Sequence, residues 1–292
     1  MSTITAATSG INLAASLDQM QELMDRSLTR LSSGTSATSP ADNPVGLAQS
    51  STFTGQNGRL QAASTNIQNA LSYVQTSDGF MSGMSTVLSR LSQLATLAQD
   101  PTKSASDISL YQQEFTALQE QMRATIGGTT AEIGGTTGVA SPLGTFNGVA
   151  LFGSGGAGMT IDTGDTTGDV ATIQQANLKS GAMLNVITED NTGAYTLNLT
   201  TPNAVATLNS AIQQLATERA NTGATEARLN VASASLQVQS QNLTSAISSI
   251  TDTDVAREST QLAKYNILLQ ANTSMLVQAN QTPKQVLQLL KQ

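Results

Sequence analysis

Between Leu60 and Ala98 the sequence keeps an apolar repeat of seven residues with no proline inside it. Leu60, Ile67, Val74, Met81, Leu88 and Ala95 form one row. Ala63, Ala70, Ser77, Met84, Leu91 and Ala98 form a second, three residues behind. Rows at that spacing are the a and d positions of a coiled-coil seam. About forty helical residues make a rod of roughly 60 Å, longer than a compact domain needs. A strict period of seven also demands a partner stripe and a left-handed supercoil.

The partner lies near the other end of the chain. Leu208, Leu215, Leu229, Leu236, Leu243 and Ile250 fall on one sevenfold grid, with Thr222 its only polar member. Ile212 and Ile247 widen that stripe, and Ala211, Ala232 and Ala246 are its small neighbours. On pattern alone this is a helical bundle or coiled coil.

Charged residues are 11% and aromatics 3% of the 292 residues. The surface is therefore polar but weakly charged, rich in Ser, Thr, Gln and Asn. Desolvating such groups costs less than desolvating Lys or Glu, so this surface suits packing against copies of itself. The net charge is −7 with no basic cluster, which argues against nucleic acid as a partner. Without cysteine or histidine there is no disulfide, no thiolate chemistry and no imidazole base or ligand. No cofactor is expected. No apolar run reaches the roughly 18 residues of a membrane span, so no membrane partner is expected either. Met1 to Ser16 has no basic region and no continuous apolar segment, unlike a Sec-type signal.

Residues 1–10 read as disordered in the isolated molecule. Leu13, Leu17, Met20, Met24, Leu28 and Leu31 then form one narrow helical stripe, marginal without a partner. Gly34 is a candidate C-cap. Pro40 and Pro44 make 35–45 an extended connector, with helix resuming near Val45. The rod stops at Asp100 and Pro101. Ser106 or Asp107 can cap a third helix carrying Ile108, Tyr111, Phe115, Leu118 and Met122, which Gly127 and Gly128 end.

Most of the chain's 23 glycines fall between Gly127 and Gly168, a segment without Lys or Arg. That composition means turns and short strands. Val149–Phe152, Met159–Ile161, Met183–Ile187 and Tyr195–Leu199 read as short β elements. A phosphate-cradling loop at Gly153–Gly158 is a weaker reading, because no lysine and no βαβ frame follow. After Ile250 the grid breaks at Thr251–Asp254. Val255, Leu262, Leu269 and Leu276 restart it out of phase, with Asp252 or Asp254 as cap. Leu268, Met275 and Ala279 broaden this last face, Pro283 closes or bends it, and Val286, Leu287, Leu289 and Leu290 add an apolar turn. The expected fold is mainly α. Long antiparallel rods form a coiled-coil or bundle stalk, with a small inserted β-hairpin and turn-rich region. The first helix should close on the last, and rod on rod.

Several segments resemble bacterial flagellin, the subunit of the flagellar filament. Leu28-Thr29-Arg30-Leu31-Ser32-Ser33-Gly34 is similar to the family's RLSSG segment, and Gly46-Leu47-Ala48 to the GLA that follows. Leu88–Gln99 resembles the helix around the RxRELAxQ motif, and Phe146-Asn147-Gly148 the FNG hairpin. Asn266–Ala271 with Met275–Gln281 resembles the C-terminal NILxQAxxAMLxQANQ motif. The stretch from Thr38 to Gly46, with Pro40 and Pro44, departs towards the hook-filament junction protein. The family's INTN start is not reproduced.

The resemblance implies an inner-core domain of 1–43 and 251–292. It also implies a rod domain of 44–180 and 203–250, with 181–202 a short outer segment. It implies a secreted protein of the extracellular flagellum, exported unfolded by the type III apparatus and polymerised into a helical tube for swimming. The terminal stripes at Leu13–Leu31 and Val255–Leu276 would be the assembly element. The implied partners are the chain itself, an export chaperone on the last helix, and the filament cap and hook-junction proteins. Arg90, Leu94 and Glu114 match positions where related flagellins meet the innate immune receptor TLR5, although Ser92 and Gln93 stand where the motif has Arg and Glu. The alternatives are a hook-filament junction protein or a secreted helical-stalk adhesin. An enzyme is not expected. The zinc-protease insert of some flagellins needs histidine, and the carboxylate pairs Asp162 with Asp165 and Asp252 with Asp254 read as turn and cap residues rather than cation ligands.

Overall fold

The computed structural model describes the backbone of residues 2–155, 158–164, 168 and 170–289, and the side chains of 11–155, 158–164, 168, 170–279 and 281. The elements in chain order are α1 (Ser2–Ser33), α2 (Pro44–Leu97), α3 (Ala105–Ile126), α4 (Thr130–Ile133), β1 (Thr145–Phe146), β2 (Val149–Ala150), β3 (Phe152–Gly153), β4 (Met159–Asp162), β5 (Val170–Ile173), β6 (Ala176–Asn177), α5 (Gly181–Ile187), α6 (Ala204–Thr251) and α7 (Val255–Leu289). The fold is mainly α with a small β region. The chain forms two compact units, Met1–Asn57 with Gln241–Gln292, and Gly58–Ser240.

In the first unit α1 packs along α7. Gly34 ends α1 at φ +73°, where a side chain would be strained, and its amide donates to the Arg30 carbonyl at 2.8 Å. A short backbone bridge then ties this exit to the entry of α7. The Ser36 amide donates to the Thr251 carbonyl at 2.7 Å, and the Thr253 amide to the Gly34 carbonyl at 2.9 Å. Asp254 caps α7, accepting the Ala256 and Arg257 amides at 3.0 and 3.2 Å. The grid break at Thr251–Asp254 is therefore a bridge followed by a cap. Asn43 caps α2 by accepting the Gly46 amide at 2.9 Å, and Pro44 takes the first helical position, where no amide is needed. The proline variant of this motif is thus a helix start.

In the second unit α2 and α6 run antiparallel. Gln75 Nε2 donates to Glu226 at 2.9 Å, Arg219 Nε to Asp78 at 2.8 Å, and Leu60 shares a surface cleft with Leu236. Leu60, Ile67, Val74, Met81, Leu88 and Leu91 of α2, with Leu208, Leu215, Leu229 and Leu236 of α6, are at most 3% exposed. Leu243 and Ile250 belong to the first unit and are half-buried. Phe115, Met122 and Ile126 bring α3 onto the same core. Within α2, Gly79 and Gly83 stand one turn apart, and a Cβ at either would meet nothing within 4 Å. Each costs the helix about 1 kcal/mol relative to alanine with no packing return inside the chain.

The turn-rich segment is held by polar side chains reaching from the helices. Arg123 on α3 donates to the carbonyls of Ile133, Ile187, Gly134 and Thr137 at 2.7–2.9 Å and pairs with Glu189 at 3.3 Å. Gln119 Nε2, one turn earlier, donates to the Val186 and Leu197 carbonyls at 2.8 and 3.0 Å. Gln214 on α6 accepts the Met183 amide and donates to the carbonyls of Asn177 and Ser180. β1 and β2 form a hairpin whose turn is Asn147-Gly148, both at positive φ, the pairing a two-residue turn of this hand requires. β4 pairs antiparallel with β5, and β3 parallel with β6.

Several expectations are corrected. Residues 2–10 are helical rather than disordered, because they extend a helix already formed from residue 11 onward, and extending a helix costs less than nucleating one. Ser104 caps α3, with Asp107 closing a reciprocal capping box, in place of Ser106 or Asp107. Met183–Ile187 is the helix α5, because Gly181 turns the chain at φ +65° and Gln214 holds its first turn. Tyr195–Leu199 makes only one bridge, Glu189 to Tyr195, before Asn198 gathers the Thr200 amide into a turn. Strands β5 and β6 have no counterpart among the β elements read from the sequence. α2 ends at Leu97, before Asp100, and α7 runs on through Pro283. Gly153 uses its carbonyl on the Leu178 and Lys179 amides, the opposite polarity to a phosphate cradle. Asp165 and the side chains of Val286, Leu287, Leu289 and Leu290 lie outside the described residues.

Replacing Arg123 by Met strands buried carbonyls and Glu189 together. Urea unfolding followed by circular dichroism should show a loss of about 3–5 kcal/mol.

Candidate assembly surface

A narrow stripe buries only part of a helix, and the α1–α7 pair shows this limit. Leu13, Leu17, Met20, Met24 and Leu31 are half-buried, and Ser27 is buried among them. Leu28 is rotated off the seam and is 46% exposed. On α7, Leu262, Leu269 and Leu276 are half-buried, as are Tyr265, Asn272 and Ala279 on the same face. Val255 leads into that helix exposed. Ile267 and Met275 are 66% and 61% exposed, and Val277 is exposed as well. The paired helices therefore close on each other yet retain large apolar side chains in solvent. Burying each would contribute roughly 1.5–3 kcal/mol.

Polar groups at the same place are also incompletely matched. Glu258 is buried with Oε1 unpartnered, and Arg30 Nε and Thr253 Oγ1 are buried without a partner. Such groups are uncommon in a finished interior.

The connector after α1 is held by one carboxylate. Asp42 accepts from Arg26, from Thr38 Oγ1 at 3.1 Å and from the Ser39 amide at 3.1 Å, with Arg30 3.8 Å away. Burial alone would push its carboxyl up. The hydrogen bonds from Arg26, Thr38 and Ser39 outweigh that and lower it from 3.8 to about 2.

On the second unit, Arg90 and Glu114 form a two-pronged ion pair, Nε to Oε1 at 2.6 Å and Nη2 to Oε2 at 3.0 Å. The bond from Arg90 holds the Glu114 carboxyl below its usual range, and Glu114 raises the guanidinium. Leu94, one turn on from Arg90, is fully buried at 0% exposure. Among the described residues no group of acidic side chains is arranged to hold a metal ion. No described helix is long and apolar enough to cross a membrane.

Long paired helices that keep apolar side chains such as Leu28, Ile267 and Met275 in solvent are the features of a structural subunit. The comparisons agree. The bacterial flagellin N-terminal helical region matches residues 4–131, and the bacterial flagellin C-terminal helical region matches 205–290. The flagellin of Bacillus subtilis is 30% identical over 295 residues, covering 96% of this chain and 97% of the relative. The flagellar filament 33 kDa core protein of Treponema phagedenis is 29% identical, covering 92% of each. The flagellin of Listeria monocytogenes is 28% identical, covering 94% of each. The chain belongs to the bacterial flagellin family, a family of structural proteins.

Asp42 yields a pH prediction. A carboxyl lowered in the folded state stabilises it above the unfolded value and loses that contribution as pH falls. The window runs from about 4 down to about 2, set by the shift from 3.8. The protection factor of the Ser39 amide, its exchange rate measured against the intrinsic rate at each pH, should fall across that window, and Asp42→Asn should abolish the dependence.

Proposed function

We propose that this chain builds the flagellar filament by joining copies of itself through the terminal helices α1 and α7. The observation that carries this is the apolar surface those helices keep after pairing, with Leu28, Val255, Ile267 and Met275 in solvent. Membership of the flagellin family makes the chain a filament subunit serving motility. The junction-protein and adhesin readings are not favoured.

The finer steps follow from the same helices. A pair held by half-buried stripes opens at low cost, which suits export in an unfolded state through the type III apparatus. An exposed α7 suits an export chaperone, which would cover it until assembly. The filament cap and the hook-junction proteins would then meet the same surface at the two ends of an extracellular filament. Contacts between unlike patches give an open helical polymer rather than a closed ring. The inner-core ranges 1–43 and 251–292 and the rod ranges 44–180 and 203–250 remain the proposed functional division, with 181–202 as the outer segment.

Recognition by TLR5 would run through Arg90 and Glu114, since Leu94 is buried. Arg90 is already engaged by Glu114 and lacks the flanking Arg and Glu of the motif. A reporter-cell assay at equal monomer concentration should give weaker signalling than flagellins with the full motif. Equal potency would overturn this.

Deleting 255–292 should leave a folded body that does not polymerise. The seam of α2 with α6 in the second unit contains none of Val255, Leu262, Leu269 or Leu276. Circular dichroism should show less helix with a surviving thermal transition, and seeded sedimentation should give no pellet. Filaments from the truncated chain would overturn the assignment of the terminal helices.

A further inference from the structure

An uncharged groove of about 530 Å³ runs along α2 beside α3. Phe80, Met84 and Val87 of α2, Met122 of α3 and Leu143 line it, with Gly79 and Gly83 among them. Its α2 residues, Thr76 to Val87, extend about 16 Å along the helix axis. Leu143 is 62% exposed in it. A Cβ on Gly79 or Gly83 would meet nothing within 4 Å, so neither glycine answers a contact inside the chain. Glycine at such a place lets another backbone come close. Gly58 and Gly223 are equally open but do not line this groove.

We infer that this groove receives α6 of a neighbouring copy in the filament, through the row Val231 and Val238. The inference rests on self-polymerisation and adds which surfaces meet. Val231 and Val238 are 71% and 57% exposed. They are seven residues apart, on one face of α6, each two residues beyond buried Leu229 and Leu236 and so on the opposite side of the helix. From Leu229 to Ser240 the helix has no charged residue. An uncharged row on an uncharged groove loses little solvation when they meet. Groove and row are different patches, so each contact leaves one of each free and growth continues from copy to copy.

The test uses the full chain. Gly83→Leu fills the groove at a position with open space, so the monomer should melt no lower than the unmodified chain while elongation of filament seeds falls at least tenfold. Gly83→Ala should have a much smaller effect. Elongation by Gly83→Leu within twofold of the unmodified chain would overturn the groove as a contact. The chain has no cysteine, so engineered thiols report cleanly. Thr76→Cys combined in turn with Val231→Cys and Val238→Cys should give a covalent ladder after mild oxidation of pelleted filaments in at least one pair. Filaments of both pairs that run only as monomer on non-reducing gels would overturn α6 as the occupant. Failure of the unmodified chain to elongate seeds would instead remove self-polymerisation itself.

Discussion

Mutual burial of apolar stripes far apart in sequence is the constraint on which the rest depends. Neither α2 nor α6 has an apolar surface broad enough to stand alone, and α1 and α7 have less still. A chain with 11% charged residues has few surface ion pairs to compensate. The seam built from Leu60 to Leu91 and Leu208 to Leu236 therefore holds the second unit. The exposed Asp78–Arg219 pair adds direction rather than much stability.

The turn-rich segment solves a different problem. It has too few apolar side chains to form a layered core, and its carbonyls would be costly to bury unpaired. Arg123, Gln119 and Gln214 reach into it from rigid helices and gather those carbonyls. A guanidinium suits this role because its five donors are fixed in a plane and its charge persists at any physiological pH. Leu151, Phe152, Ile133 and Ile187 then supply a small apolar centre beneath the polar ties.

The terminal pair is left deliberately incomplete in energetic terms. Half-buried leucines hold α1 to α7 well enough to order both, while Ile267, Met275 and Leu28 remain in solvent. The proposed completion by further copies suits such a surface, because the weakly charged Ser, Thr and Gln around it cost little to desolvate.

The sequence by itself determined the helical rods and the distant partners. A sevenfold repeat demands a matching stripe, which the chain itself carries on α6, and Gly34 and Asp254 mark helix ends through local chemistry. The flagellin motifs were equally legible, since they are linear. Tertiary structure alone decided the rest. Met183–Ile187 became α5 because Gln214, from a distant helix, captured its first turn. Arg123 carried no sequence signal, because its carbonyl partners lie in loops whose positions no periodicity encodes. Leu94 shares a helix with Arg90, yet only packing put one in the core and the other in solvent. Local propensity and period specify elements. Which side chain meets which distant backbone is settled only when those elements compete for the same buried space.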